Sequence, residues 1–492
     1  MEVLGLVRSM KNKFAPINKI PPDVFFLIPE YLEDSEDENL IKMTHVCRGW
    51  REVLIARPSL WVRLYCENTD RTRAYIERSK SSLLELSLYK REATAYLEDA
   101  FLLVAPHISR LKSFSIYGGR KLFQHLTPHL SSPIPLLREL TVDFICDPAP
   151  IIDTTLFNGD LSSLCSLSLA GVITHLPWRG LSKLTTFKLR RVPMDKISIT
   201  QLLDFLEDAH HLRNIELYDS IPTSSDAPPG RVVSLPCLKN LIIHEDAIHS
   251  ILLNHLSIPA GASLTLDFGF TGERSPIPDL LPKSLKYLQN ISSISSVNLS
   301  FEEFEKYVRL DGPSGGLYML GQWIDWEGDP IFTLDRRILR SLSQFDLSGT
   351  QRLAITQYEP PTVNAVEKST PYHILSRTKD LRTLTLTQCN NLPFILALNP
   401  VQNPSKRVLC PHLEEIILYV EGLGSFRIKE LESMAKERVS AGKKLPSITI
   451  VGLDELIPGR EVFKLKKYIT HVDYRVKEDP PKWDNIFEDG EK

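Results

Sequence analysis

The sequence predicts an α/β fold: a small helical unit near the N-terminus, followed by a solenoid of parallel strands with intervening helices and loops. Two observations carry this. Between Ile20 and Trp61 apolar side chains recur at helical spacing, and from Leu83 onward a Leu-x-x-Leu-x-Leu phrase returns at strand-and-connection intervals. A third, composition, keeps other classes out. With 42% hydrophobic and 24% charged residues over 492 positions, the chain has the make-up of an ordinary globular protein with ample material for a large core.

The helical unit opens on Ile20-Pro21-Pro22-Asp23-Val24. Proline suits a helix entry, where its missing N–H has no intrahelical partner to lose. Val24, Leu27, Ile28, Tyr31 and Leu32 then mark one apolar face. Pro29 falls inside that helix, where it removes a backbone hydrogen bond and kinks or shortens it. Glu33 to Glu38 reads as a polar loop, with Ser35 and Glu38 at capping-box spacing. Leu40, Ile41, Met43, Thr44, Cys47, Trp50 and Leu54 continue as a second helical stretch, with Cys47 on its apolar face as a small core residue. A unit this small cannot bury so many apolar side chains by itself, so some face a partner or the next domain.

These residues, with Val46-Cys47-Arg48-Gly49-Trp50 and the closing Leu60-Trp61, resemble the F-box over about a tenth of the chain. The resemblance implies docking onto a small Skp-family adaptor, and through it onto a cullin-RING ubiquitin ligase. It maps Ile20, Pro21, Val24, Ile28, Leu32, Val46, Cys47 and Trp50 onto adaptor-facing and module-core positions.

The repeated phrase occurs at Leu83-Leu86-Leu88, Leu111-Phe114-Ile116, Leu137-Leu140-Val142, Leu164-Leu167-Leu169, Leu184-Phe187-Leu189, Leu212-Ile215-Leu217 and Leu238-Leu241-Ile243. It continues less regularly at Ile294-Val297-Leu299, Leu342-Phe345-Leu347, Leu381-Leu384-Leu386 and Leu413-Ile416-Leu418, and Leu264-Thr265-Leu266 marks a truncated copy. Alternate strand residues face opposite sides, so the residue between the last two apolar positions points away from the core. Those residues are Ser87, Ser115, Thr141, Ser168, Lys188, Glu216, Ile242, Asn298, Asp346, Thr385 and Ile417, all polar but the two isoleucines. They make a candidate target-binding face. The pattern resembles leucine-rich repeats, from which it departs where the family places Asn or Cys after the last leucine: only Cys389 fits, whereas Arg91, Gly119, Ile145, Val172 and Ser220 stand elsewhere.

From about 302 to 335 the spacing stretches, predicting an insertion of two strands, Tyr307–Leu310 and Leu317–Leu320, around the turn Gly312 to Gly316. Trp323 and Trp326 follow; exposed, they would be contact anchors, although indoles packed on the array are the commoner arrangement. The predicted organisation is an N-terminal extension at 1–16, an F-box-like domain at 17–65, a linker helix at 66–82, the array at 83–470 and a polar tail at 471–492. That order resembles large fungal families of F-box proteins. Arg71, Arg73, Glu77, Arg78 and Lys80 give the linker a solvated charged face.

Chemistry-bearing motifs are sparse. Gly312 to Gly316 lacks the lysine of a phosphate loop, and no Cys-x-x-Cys pair suits zinc. His244 and His249 are five apart rather than four, and Pro128 separates His125 from His129. A net charge of −3 gives no argument for nucleic acid or an anionic membrane as partner, and no apolar run approaches the ~18 residues of a membrane span. The seven cysteines show no paired spacing and Met1 to Met10 lacks a signal-like apolar run, so a reduced cytoplasmic or nuclear setting is expected. The sequence therefore predicts a non-catalytic substrate receptor of an SCF-type ligase, without cofactor or metal. The alternatives are an adaptor-binding scaffold without ubiquitin transfer, and a ligand-binding solenoid whose N-terminal helices only cap the array.

Overall fold

The structure is a computed structural model. It describes residues 14–31, 38–90, 95–119, 122, 126, 128, 132–144, 151–152, 161–174, 181–192, 198–221, 227–244, 249–268, 281–282, 284–301, 305–322, 342–357, 369–387, 392–420, 428–452 and 463–476. Leu32, the acidic loop with Ser35, Cys389, Trp323 and Trp326 lie outside them. The chain divides into two compact units, Met1–Pro193 and Met194–Lys492.

In the first unit the N-terminal helices are α1 (Pro22–Phe25), α2 (Leu27–Tyr31), α3 (Glu38–Thr44) and α4 (Arg48–Ile55), closed by a 3₁₀ turn at Pro58–Trp61. The Pro21 carbonyl accepts the N–H groups of Val24 and Phe25, each at 3.0 Å, so the two prolines start α1 as predicted. The single long first helix is not formed. It breaks at Phe26, which places Pro29 in the first turn of α2, where an absent N–H costs nothing. The second stretch also divides, between Thr44 and Arg48.

Helix α5 (Thr69–Ser79) is the predicted linker, but the sheet begins before it. Strand β1 (Arg63–Leu64) pairs parallel with β2 (Leu84–Lys90), Arg63 opposite Glu85 and Leu64 opposite Leu86. The sheet therefore starts at the end of the helical unit, before Leu83, with Leu64 buried in the same row as Leu86. After α6 (Ala95–Val104) come β3 (Leu111–Gly118), β4 (Glu139–Phe144), β5 (Ser166–Ala170) and β6 (Thr186–Arg190), each parallel to its predecessor. Register aligns Leu86, Phe114, Leu140, Leu167 and Phe187 in one buried row. Each such side chain contributes ~1.5–3 kcal/mol of burial, and the period-two alternation leaves the opposite face half-exposed.

The second unit has β7 (Asn214–Tyr218), β8 (Asn240–His244), β9 (Ser263–Phe268), β10 (Ser296–Phe301), β11 (Glu305–Asp311), β12 (Gly316–Gln322), β13 (Arg352–Gln357), β14 (Thr383–Thr387), β15 (Glu415–Val420), β16 (Ser447–Gly452) and β17 (His471–Val476). Its helices are α7 (Ile199–Asp208), α8 (His249–Leu253), α9 (Ser369–Arg377), α10 (Leu392–Leu398) and α11 (Ile428–Ser440). Ser198 and Gln201 close a capping box on α7. The truncated phrase at Leu264 is indeed a strand, β9, parallel to β8.

The two strands predicted as an insertion are present, but they do not leave the sheet. β12 pairs parallel with β9, β11 is antiparallel to both β12 and β10, and β10 pairs parallel with β13. The hairpin is thus spliced into the sheet. Parallel pairing resumes through β13, β14, β15, β16 and β17, so the first residues expected in a polar tail, His471–Val476, are a sheet strand.

Three arginines supply a connection the sequence reading missed. Arg110, just before β3, donates to the Ser82 carbonyl at 2.7 Å, just before β2. Arg377, at the end of α9, donates to the carbonyls of Leu342 (2.8 Å), Ser343 (3.1 Å) and Phe345. Arg438, 1% exposed in α11, donates to Leu409 (2.8 Å) and Cys410 (3.0 Å). Each guanidinium satisfies carbonyls of the turn that feeds the preceding strand, where the missing family asparagine would have bonded a turn of its own.

Candidate docking surfaces

The helical unit has a small core of Phe25, Leu40, Met43, Leu54 and Trp61. Trp50 packs edge-on against Phe25, with ring centroids 4.8 Å apart, and its Nε1 donates to Asn18 Oδ1 at 2.6 Å. This ties the segment before α1 to α4. Trp61 is fully buried; its Nε1 donates to the Leu54 carbonyl at 2.9 Å, its ring meets Tyr75 at 4.9 Å, and Arg78 lies 4.3 Å above it. The unit is thereby keyed to α5.

Cys47 is not a core residue. It is the N-cap of α4: its half-buried Sγ accepts the Trp50 N–H at 3.5 Å. Of the other residues implicated in docking, Val24 and Val46 are 50% and 58% exposed, Pro21 is exposed, and Ile20, Ile28 and Trp50 are half-buried. Phe14 and Ile17 are further exposed apolar side chains that the sequence reading left out, and Leu27, placed by that reading on the apolar face with Val24 but not among the docking residues, is exposed as well. Valine, leucine and phenylalanine held at this exposure in one small unit are apolar surface that the chain leaves uncovered.

An F-box-like family model matches residues 17–67. The unit is an F-box-like domain. Its match ends after β1, so the F-box-like domain and the sheet share that strand. No curated protein matches the chain.

On the polar face of the sheet, register decides which predicted residues meet. Ser87, Ser115, Thr141, Ser168 and Lys188 form one unbroken row in the first unit. In the second, Glu216, Ile242, Thr265, Tyr318, Arg309, Asn298, Ala354, Thr385 and Ile417 follow one another strand by strand. Asn298 is in the row but 5% exposed, so it does not present itself to solvent. Asp346 is not in the row. It sits in a turn before β13, where Oδ1 accepts the Ser348 N–H at 3.0 Å, and hydrogen bonds from Ser348 hold its carboxyl below the usual range. The true phrase is Thr350-Leu353-Ile355; buried Thr350 occupies the leucine position, so the apolar reading slipped back to Leu342.

Burial pushes the Cys66 thiol up to about 12 and the Cys410 thiol up to about 11, the wrong direction for a nucleophile. Among the described residues no group of three His, Cys, Asp or Glu side chains is placed to hold a metal ion, and no helix is long and apolar enough to cross a membrane.

Proposed function

We propose that this protein is a substrate-recognition subunit of an SCF-type cullin-RING ubiquitin ligase. The F-box-like match at 17–67 carries the proposal, since F-box domains typically bind Skp-family adaptors. Exposed Val24, Leu27 and Val46 supply the apolar contact such docking requires. The sheet region is read as a degenerate leucine-rich-repeat solenoid whose polar rows hold a target protein. Its task is then to bring target lysines close to the ubiquitin-charged enzyme, which is catalysis by proximity performed by other subunits. The protein itself is non-catalytic, needs no cofactor, and works in cytoplasm or nucleus.

One observation favours a second reading. Strand β1 lies at the end of the F-box-like domain and pairs with β2, so the helices would also cap the array. Capping alone leaves the exposure of Val24 and Val46 unused. Co-expression with a Skp-family adaptor and a reconstituted ubiquitin-transfer assay test the proposal: adaptor capture with transfer to a bound partner supports it, capture without transfer leaves a scaffold, and no capture leaves the capping reading.

A further inference from the structure

Two triads recur at the same place on the polar face, one in each unit. In the first unit Tyr89, Tyr117 and Asp143 stand side by side on β2, β3 and β4. In the second, Tyr218, His244 and Asp267 stand side by side on β7, β8 and β9. Each lies two residues beyond the polar row, so each is an aromatic, a ring and an acid across three adjoining strands, ~5 Å from one to the next.

The second triad holds a ring nitrogen of its own. The His244 ring stacks on Tyr218 with centroids 5.3 Å apart at 24°, and its Nδ1 lies 2.8 Å from Asp267 Oδ2. A nitrogen-bearing ring thus sits between an aromatic face and a carboxylate. The first triad has the aromatic faces and the carboxylate but no nitrogen. Its middle member is Tyr117, whose ring is 5.8 Å from Tyr89 and tilted by 50°; Tyr89 is 75% exposed, and Asp143 Oδ1 is buried with no hydrogen-bond partner. A carboxylate oxygen without a donor is costly where it stands, and an aromatic pair beside it attracts cations through the ring faces.

We propose that Tyr89, Tyr117 and Asp143 bind a lysine or arginine side chain of the target protein, which places a nitrogen beside the Asp143 carboxylate as the His244 ring does beside Asp267 in the other triad. The proposal rests on the substrate-receptor reading for the nature of its occupant. Charge selects a cation: the site offers two π faces and one carboxylate, so a neutral donor can bond the Asp143 oxygen but gains nothing from charge at the ring faces, and an acidic side chain is repelled.

The test uses the full chain and fluorescein-labelled Gly/Ser nonapeptides with a central arginine, lysine, citrulline or glutamate, followed by fluorescence polarisation at low ionic strength. Arginine and lysine peptides should bind about fivefold or more tighter than citrulline and glutamate peptides. Tyr89→Ala and Asp143→Asn should each remove that preference, whereas Tyr89→Phe, which keeps the π face, should retain it. Tyr89 is exposed and Asp143→Asn keeps the shape of the side chain, so circular dichroism should be unchanged. Equal binding of arginine and citrulline peptides, or a preference unaffected by Asp143→Asn, would overturn the proposal. Val46→Glu, which strikes adaptor docking, should leave peptide binding untouched; loss of adaptor capture with retained peptide preference separates the failure of one reading from that of the other.

Discussion

Cys47 Sγ accepts the Trp50 backbone N–H at 3.5 Å and so starts helix α4. Sulfur is a weak acceptor, and serine is among the strongest N-caps. Cys47→Ser should therefore leave stability unchanged or raise it, while Cys47→Val, which keeps the side chain apolar but removes the acceptor, should cost ~1 kcal/mol. Chemical denaturation of the two variants separates a cap from a core residue; equal loss for both would restore the core assignment.

Trp61 joins the F-box-like domain to α5 by a hydrogen bond, an aromatic edge contact and a cation above its face. Trp61→Ala should lose ~3–5 kcal/mol. Trp61→Phe keeps most of the volume and removes one donor from the Leu54 carbonyl, which retains the Arg57 N–H at 3.2 Å, for ~0.5–1.5 kcal/mol. Because β1 follows directly, protection of the β2 amides from hydrogen exchange should fall in parallel.

Gly171 has φ of 61°, and a Cβ there would stand 1.9 Å from the Phe144 carbonyl oxygen. Neither the conformation nor the space admits a side chain. Gly171→Ala should destabilise by more than ~2 kcal/mol and open the β4–β5 region to limited proteolysis, with no effect on adaptor capture.

The buried thiols make stability depend on alkaline pH. Cys66 has its folded pKa raised from 9.0 to about 12 and Cys410 from 9.0 to about 11, so the folded state holds these protons more tightly than the unfolded chain. Their stabilising effect is full below pH about 9 and is lost as pH rises through the folded values. Thiol labelling at pH 8 should modify exposed Cys237 rapidly, and Cys66 and Cys410 only after unfolding.

Much of the core was legible because burial writes itself into the leucine phrase: Leu86, Leu140, Leu167, Leu217 and Leu384 are all buried strand residues. Alternation does not encode pairing direction, so the hairpin of β11 and β12 looked like an excursion although both strands lie within the sheet. Thr350 hid the start of the β13 phrase, and Cys47 hid a cap behind an apolar residue type. The Tyr89, Tyr117 and Asp143 triad was invisible for a different reason. Its members are far apart in sequence and lie beyond the phrase; only lateral register brings them together.

Adaptor capture tests the central claim most directly. Val24→Glu and Val46→Glu alter side chains that are half or more exposed, so the fold should be retained in both. Measured by isothermal titration calorimetry with a purified Skp-family adaptor, the wild-type chain should bind, and each variant should bind at least ~10-fold more weakly with an unchanged melting temperature. A wild-type chain that binds no adaptor, or variants that bind as well as wild type, would contradict the assignment of this surface as the docking face.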